Sequence, residues 1–283
     1  EEDITCSVDL VFSALPHKAS AEKIEPLLKA GVPVIDISAD FRLNNVKNYE
    51  YWYKTTHPCP QYLGQAVYGL PELNRQKIAS SRLVGNPGCY PTASILALAP
   101  AVQENLIGTD VIVDAKSGVS GAGRKAEIQY LYNEVNESLR AYSLSGHRHL
   151  PEITQELCKL RTSEPPMVTF VPHLIPMTRG ILASCYATTK EDITENDLQT
   201  LYKEYYSGHP FVKVVDDPPS TKQTLGSNNC LIYPTLDQRT NRLIVISCID
   251  NLIKGAAGQA VQNMNLMLGY SEDSGLNQIA IYP

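Results

Sequence analysis

Residues 82–106 read RLVGNPGCYPTASILALAPAVQENL, which predicts a short strand, a tight turn with one cysteine and an apolar helix. The glycines and proline at 85–88 mark the turn. Because Tyr90 precedes a proline, it is biased away from helical dihedral angles, and we expect the helix to begin at or after Pro91. The cysteine therefore lies just ahead of a predicted helix N-terminus.

Cys89 is the candidate reactive side chain of this turn. Unpaired N–H groups and the helix dipole favour an anion at such a position, which is the setting of a nucleophilic thiolate. The alternative is that Cys89 is a small buried hydrophobe, as most free cysteines are. The local pattern leaves both interpretations open.

The residues before this stretch predict a parallel sheet. VDLVFSALPH (8–17) has the pattern of a buried strand, AEKIEPLLKAG (21–31) that of a helix and PVIDISAD (33–40) that of a second strand. A strand, helix and strand in this order form a βαβ unit, whose sheet is covered on both faces. The tyrosine-rich segment 49–73 is expected to be an ordered loop with one helical turn near Tyr49–Tyr53.

The residues after the cysteine helix alternate less regularly. Strands are expected over 110–118, 167–177, 180–189, 211–217, 230–238 and 242–250. Helices are expected over 125–139, from Pro151 onward, over 193–208 and over 255–269. This order predicts an α+β region with a mixed or antiparallel sheet and helices on one side.

Composition narrows the function classes. The chain has 283 residues, of which 43% are hydrophobic and 19% charged, and its net charge is −6, which indicates no nucleic-acid or membrane partner. Seven scattered cysteines show no C-x-x-C pair or zinc-site spacing. Free thiols predict a reducing compartment: the cytoplasm or, in a eukaryote, an organelle stroma or matrix.

Further candidates for a site come from loops. His147 and His149 follow a glycine and point the same way if the chain is extended, so both can face one cleft. They could also chelate a metal, but no third ligand is evident nearby, and we predict no metal site. Arg42 follows a parallel strand, where open α/β sheets bind ligands, and suits a phosphate or carboxylate. A solvated basic loop and a surface arginine are the alternatives.

The loop SGVSGAGRK (117–125) offers three glycines whose N–H groups could contact an anion. It does not match G-x-G-x-x-G, and a flexible turn is the alternative.

Seven motifs together resemble the N-acetyl-γ-glutamyl-phosphate reductases of the aspartate-semialdehyde dehydrogenase superfamily. They occur in that family's order, from about residue 8 to the C-terminus: SALPH, DISADFRL, GNPGCYPTA, SGVSGAGR, GHRHLPEI, VPHLIPMTRGI and NLIKGAAGQAVQNMNLM. The family opens with a glycine-rich phosphate loop after its first strand, which this sequence lacks. We therefore expect the chain to begin partway through the dinucleotide-binding domain, near that domain's fourth strand.

The resemblance implies two domains. An incomplete Rossmann-type dinucleotide-binding domain would comprise residues 1–88 and 255–283, and a catalytic and dimerisation domain would comprise residues 89–254. The last helix would return to the first domain, with its apolar positions at 261, 264, 267 and 268 packed there. A homodimer or homotetramer is expected.

The resemblance also implies a reaction in arginine biosynthesis. Cys89 would attack an acyl phosphate and form a thioester, which NADP(H) would reduce to N-acetylglutamate semialdehyde. His149 would act as the acid/base and His147 would hold the substrate, or the two would exchange these roles. Arg42 and Asn86 are expected at the substrate. The resemblance places the following residues at the nicotinamide nucleotide: Ser13, Ala14, Leu15, Ser117, Gly118 and Asn251.

Three rival interpretations remain. A sister reductase would act on aspartyl phosphate or a carrier-linked aminoadipyl phosphate, although GCYPT argues against the aspartyl case. A Cys/His hydrolase would need no nicotinamide nucleotide. The chain could also be a non-catalytic domain of a longer polypeptide.

Overall fold

The computed structural model describes residues 8–124, 126–161 and 164–282. The chain forms two compact units, one of Glu1–Gly88 with Ala256–Asn277 and one of Cys89–Gly255 with Gln278–Pro283. The tail 278–283, expected in the first domain, thus groups with the second unit. Its attachment there is a hydrogen bond of 2.9 Å from the N–H of Ile281 to the carbonyl of Leu225.

The first unit contains a parallel four-stranded sheet in the order β1-β2-β4-β3. Its strands are β1 (Val11–Ser13), β2 (Val34–Asp36), β3 (Val67–Tyr68) and β4 (Leu83–Gly85). Its helices are α1 (Ala19–Lys29), α2 (Val46–Tyr53), α3 (Pro71–Ala79) and α8 (Gly258–Met267). The βαβ prediction is confirmed, since β1 and β2 pair in parallel across α1.

The segment 49–73 is more structured than predicted. It contributes most of α2, a 3-10 turn at Pro60–Tyr62, strand β3 and the start of α3. The side chain of Asn45 caps α2 by accepting hydrogen bonds from the N–H groups of Lys47 and Asn48. The prolines of the segment 49–73 are compatible with these elements. Pro60 and Pro71 lie in the first turns of their helices, where a backbone N–H has no partner inside the helix.

Helix α8 packs in the first unit, where Ala260 shares a core with Ile35, Ile78 and Val84. Met264 and Met267, two of the four apolar positions predicted for this packing, lie against the same core, and the most buried side chains of α8 are largely polar. Asn263 Nδ2 donates to the carbonyl of Gly69 at 2.8 Å, and other amides of the helix have partners in the same unit. Hydrogen bonds of this kind offset the cost of burying polar groups.

The second unit contains a mixed seven-stranded sheet in the order β6-β7-β5-β8-β11-β10-β9. Its strands are β5 (Ile107–Ser117), β6 (Arg140–Ala141), β7 (Met167–Leu174), β8 (Ile181–Thr189), β9 (Val212–Val214), β10 (Cys230–Asp237) and β11 (Arg242–Ile249). Its helices are α4 (Cys89–Gln103), α5 (Tyr132–Val135), α6 (Leu150–Leu160) and α7 (Glu195–Tyr205). The strands expected over 230–238 and 242–250 are confirmed as β10 and β11, which pair as an antiparallel hairpin.

One face of this sheet is largely buried and the opposite face is less buried. On the less buried face Ile112, Tyr186 and Ile244 form a row across β5, β8 and β11, because each is paired with the next in register. Such a row of large apolar side chains is typical of a surface that another protein covers.

The prediction of a helix over 125–139 is wrong. Within that range the described chain forms a 3-10 turn at Ile128–Tyr130 and the short helix α5. Ile128 and Tyr132 are 77% and 81% exposed, so a longer helix would have no apolar face to bury. Isolated helices of this length are marginal without such packing. Among the helices of the described residues, none combines the length and apolar character needed to cross a bilayer.

Candidate active site

Cys89 is the first residue of α4 and is half-buried. The helix begins two residues earlier than predicted, and Pro91 lies within its first turn. Because the first N–H groups of a helix have no partner inside the helix, a proline there costs no hydrogen bond. The sulfur is therefore attached to the positive end of a helix of 15 residues whose side chains from Tyr90 to Val102 are buried. A thiolate is stabilised at such a position.

The two histidines of the GHRH loop lie together, with ring centroids 4.9 Å apart. His149 is the residue that precedes α6, and its backbone N–H donates to Nδ1 of His147 at 3.1 Å. A ring nitrogen that accepts an N–H carries no proton itself, so neutral His147 has its hydrogen on Nε2. Burial lowers the pKa of His147 to about 4, and the charge of Arg148 adds to the shift.

Both histidine rings contact Tyr90, the residue after the candidate nucleophile. The centroid of the Tyr90 ring is 5.7 Å from that of His147 and 6.0 Å from that of His149. His147 also meets Tyr142 and Phe170 edge to face, at 5.5 and 5.3 Å. These three aromatic rings, which we call the aromatic cage, explain why His147 is desolvated.

Hydrogen bonds hold the cage in place. The hydroxyl of Tyr142 donates to that of Tyr90 at 3.3 Å, and the hydroxyl of Tyr90 donates to the carbonyl of His173 at 3.0 Å. Tyr142 and Phe170 could not be recognised from the sequence as neighbours of the histidines. Tyr90 was adjacent to the predicted nucleophile, but no spacing rule connects Tyr142 in a loop with Phe170 on β7.

The turn after β5 brings Ser117, Gly118 and Asn251 together. Asn251 Oδ1 accepts from the N–H of Gly180 at 2.7 Å, and its Nδ2 donates to Ser120 Oγ at 2.9 Å. The N–H of Gly118 donates to the carbonyl of Gly180 at 2.9 Å. A rigid turn results, with Ser117 and Asn251 almost fully buried.

The glycine N–H groups of this turn, which were considered as possible contacts for an anion, are used within the chain. The N–H groups of Gly118, Gly121 and Gly123 all donate to carbonyl oxygens of the second unit. A Cβ at Gly118 would meet backbone atoms of Thr178 and Arg179 at 2.8 Å. This glycine is therefore required for a close approach of two loops.

In the first unit, Arg42 is buried and bonded to backbone oxygens. Its Nε donates to the carbonyl of Asn86 at 2.7 Å, and Nη2 donates to the carbonyl of Ile37 at 2.8 Å. The guanidinium is thereby fixed beside the carboxyl ends of β2 and β4, where ligands of parallel sheets bind.

Asn86 has a different place from the one expected. It is fully buried, its Nδ2 donates to the carbonyl of Ala256 at 3.0 Å, and its Oδ1 accepts from Asn263 Nδ2 at 3.0 Å. Because both ends of the amide are bonded within the first unit, the structure gives Asn86 a supporting role instead of direct contact with a substrate.

The loop after β1 combines a buried serine with exposed apolar residues. Ser20 Oγ donates to Asp36 Oδ1 at 2.6 Å, so Ser13 Oγ, 2.6 Å from Ser20 Oγ, is the donor in that pair. Ala14 and Leu15 are exposed. The hydroxyl of Ser13 is thus occupied, and this loop presents its next two residues to solvent.

The N-terminus of α1 is occupied by a carboxylate of the chain. Asp40 accepts from the N–H groups of Lys18 and Ala21 at 2.8 and 2.9 Å, and from the hydroxyl of Tyr49 at 2.6 Å. The sequence contained no signal for this cap, because 19 residues separate Asp40 from Ala21. An external anion would have to displace Asp40 from this helix end.

Two family models match most of this chain. Residues 1–81 match the model of the semialdehyde dehydrogenase NAD binding domain, and residues 89–251 match that of the semialdehyde dehydrogenase dimerisation domain. The aspartate semialdehyde dehydrogenase II of Vibrio cholerae has a TM-score of 0.71 at 18% identity, covering 94% of this chain and 81% of that one. At this identity the likeness concerns the fold alone.

Curated relatives are much more similar in sequence. An N-acetyl-gamma-glutamyl-phosphate reductase of Dehalococcoides mccartyi is 55% identical over 282 residues, covering 100% of this chain and 83% of the relative. One of Heliobacterium modesticaldum is 48% identical, covering 100% of this chain and 82% of the relative. The chain therefore belongs to the N-acetyl-gamma-glutamyl-phosphate reductase family of the semialdehyde dehydrogenases.

Proposed function

We propose that this chain reduces N-acetyl-γ-glutamyl phosphate to N-acetylglutamate semialdehyde and phosphate, with NADP(H), in arginine biosynthesis. The observation that supports this most strongly is the arrangement in the second unit. A cysteine at a helix N-terminus is followed directly by Tyr90, on which both histidines of the GHRH loop pack. Relatives with about half of their residues identical carry this activity in their names.

Cys89 is the proposed nucleophile. Its thiolate attacks the acyl carbon of the acyl phosphate, a C–S bond forms, and the C–O bond to phosphate breaks with the electron pair leaving on phosphate. The helix N-terminus favours the thiolate before this step and again when the aldehyde product leaves. Arg42 is proposed to bind the phosphate group, since a fixed guanidinium matches its oxygens, while Asn86 supports Arg42 through its backbone carbonyl.

The two histidines receive different roles. His149 is proposed as the acid/base that protonates the carbonyl oxygen during reduction and takes the proton back when the C–S bond breaks. His147, with a pKa lowered to about 4 by burial and by the charge of Arg148, stays neutral near pH 7 and presents an Nε2–H donor. It is therefore suited to hold a substrate oxygen by a hydrogen bond and poorly suited to release a proton.

Two groups of residues, one within each unit, are proposed to bind a nicotinamide nucleotide. In the first unit Ser13, Ala14 and Leu15 form the loop at the carboxyl end of β1, and the exposed Ala14 and Leu15 offer an apolar surface to a base or ring. In the second unit Ser117, Gly118 and Asn251 form the rigid turn described above. When bound, NADP(H) supplies a hydride to the thioester carbon.

We also propose self-association and a reducing compartment. The match of residues 89–251 to a dimerisation domain supports a homo-oligomer, which we expect to be a homodimer or homotetramer. The half-buried row of Ile112, Tyr186 and Ile244 is the surface we assign to it. None of the six cysteines within the described residues forms a disulfide, which supports a cytoplasmic, stromal or matrix location.

The test is phosphate-dependent reduction of NADP⁺ with N-acetylglutamate semialdehyde as substrate. We expect this semialdehyde to react with a kcat/KM at least a hundredfold above that of aspartate semialdehyde. Preference for aspartate semialdehyde would identify a sister reductase. Hydrolysis of the acyl phosphate that is unchanged by NADPH would identify a Cys/His hydrolase. Either result would contradict the proposal.

A further inference from the structure

The chain makes a close approach to Cys89 at Gly255. After β11 it forms a π-helical turn at Ile253–Ala257, in which the N–H of Gly255 donates to the carbonyl of Asp250 at 3.0 Å. A Cβ placed on Gly255 would lie 2.7 Å from Cys89 Cβ and 3.2 Å from Cys89 Cα. Contacts of Cβ atoms under 3.0 Å essentially do not occur in proteins.

The atoms that Gly255 faces are the ones that fix where the sulfur can lie. Rotating the Cys89 side chain moves Sγ but leaves Cα and Cβ in place, so the conflict could be relieved only by moving the backbone. On its other side, a Cβ of Gly255 would meet Ile249 Cδ1 at 3.3 Å. Gly255 and Lys254 are both buried.

The turn is also anchored at its start by a buried carboxylate. Asp250 Oδ1 accepts from the N–H groups of Leu252 and Ile253 at 2.8 and 3.2 Å. Its Oδ2 accepts from the N–H of Gly226 at 2.8 Å and lies 2.7 Å from Nη2 of Arg179. Asp250 is fully buried, so these bonds hold the π-helical turn against the first residue of α4. π-helical turns of this kind occur often at functional sites.

We propose that Gly255 is a positioning residue for Cys89. Its bare backbone forms the wall against which Cα and Cβ of the cysteine rest, and the wall fixes the sulfur at the N-terminus of α4. This role depends on the proposed function in one respect only, because it takes Cys89 to be the nucleophile. The packing itself is independent of the substrate.

Gly255→Ala gives the first test. The added Cβ would lie 2.7 Å from Cys89 Cβ. To reach an ordinary contact of 3.4 Å, Cys89 Cβ must shift by about 0.7 Å. A misplacement of about 1 Å can cost roughly a hundredfold in rate, so we expect kcat to fall about 10- to 100-fold while KM changes less than about threefold. The matched control is Gly108→Ala, whose Cβ would have only an ordinary contact, 3.7 Å from the carbonyl oxygen of Thr188.

Two measurements need no substrate and therefore separate this inference from the proposed reaction. The rate of Cys89 alkylation by iodoacetamide across pH should change in Gly255→Ala and stay at the wild-type value in Gly108→Ala. In a double-mutant cycle, Cys89→Gly removes Cys89 Cβ, the atom nearest to the added Cβ. Gly255→Ala should therefore lower Tm in the Cys89→Gly background by less than half of what it does in the wild-type background.

The outcomes are decisive even if Gly255→Ala does not fold alone. Recovery of the folded protein in Cys89→Gly/Gly255→Ala would support direct packing. An equal loss of Tm in both backgrounds, a failure to fold in both, or a Gly255→Ala enzyme with wild-type alkylation and wild-type kcat would each overturn the proposal.

Discussion

The backbone N–H of His149 donates a hydrogen bond of 3.1 Å to Nδ1 of His147. The bond makes the two histidines chemically unequal, because it uses one nitrogen of His147 as an acceptor and leaves Nε2–H as its only ring donor. The aromatic cage adds to this inequality by desolvating His147. Neutral His147 is thereby prepared to donate a hydrogen bond, which supports the proposal that His149 is the residue that exchanges a proton.

Replacing each histidine by asparagine should separate these roles. We expect His149→Asn to lower kcat by roughly 10²–10⁴-fold and to remove one limb of the pH–rate profile, because an amide cannot act as an acid/base. His147→Asn should mainly raise the KM for the substrate, since the amide still donates a hydrogen bond. Steady-state kinetics from pH 5 to 9 would measure both, and a loss of kcat confined to His147→Asn would reverse the assignment.

The aromatic cage should control the pKa of His147. Because this pKa is lowered from 6.5 to about 4 in the folded chain, the unfolded chain binds more protons between those pH values. The contribution of His147 to stability is therefore present above about pH 6.5 and is lost as the pH falls toward 4.

Tyr142→Ala should raise the pKa of His147 toward 6.5 by admitting water, and Tyr142→Phe should leave it low because the ring remains. NMR titration of the histidine rings measures the shift directly. The same pKa in both variants would show that the cage does not desolvate His147.

Arg42→Lys should affect both anion binding and stability. Lysine keeps the charge but cannot replace the planar guanidinium, so the KM for phosphate should rise roughly tenfold. Because the bonds to Asn86 and Ile37 are altered as well, we expect a loss of about 1–3 kcal/mol in the free energy of unfolding. A lower Tm with an unchanged KM for phosphate would mean that Arg42 is purely structural.

Ile244→Asp should break the homo-oligomer. It places a charge in the row formed by Ile112, Tyr186 and Ile244, and desolvating that charge at an interface costs several kcal/mol. Light scattering after gel filtration should show the mass of a smaller species. Ser207→Asp adds the same charge at an exposed turn residue and should leave the mass unchanged. If both variants kept the wild-type mass, this face would not be the interface.

Helices and strands could be predicted from the sequence where a local pattern of apolar residues determined which side chains are buried. The βαβ unit of 8–40 and the hairpin of β10 and β11 follow from apolar runs bounded by turn residues. The segment 125–139 had the same kind of periodicity but no surface on which to pack, so the pattern did not become a helix. Helix α8 shows the converse, because its buried amides depend on partners such as Gly69 that are distant in sequence.

At the site, residue types were predictable and their partners were not. Cys89 and the histidine pair were identified by turn chemistry and motif, whereas Asp40 as the cap of α1, Tyr142 beside His147 and Gly255 against Cys89 depend on contacts across the fold. Asn86 was expected at the substrate because it lies in GNPGCYPTA, one of the motifs that carry the resemblance. Only its hydrogen bonds show that the amide is occupied.

Cys89 is proposed to carry the acyl group as a thioester during the reaction. The most direct measurement mixes the protein with N-acetyl-γ-glutamyl phosphate in the absence of NADPH and follows both phosphate release and protein mass. We predict a burst of phosphate equal to the concentration of active sites and an N-acetylglutamyl adduct that peptide mapping places on Cys89. Cys89→Ser, with an unchanged circular dichroism spectrum, should show neither. A burst that persists in Cys89→Ser, or an adduct on another residue, would contradict the account.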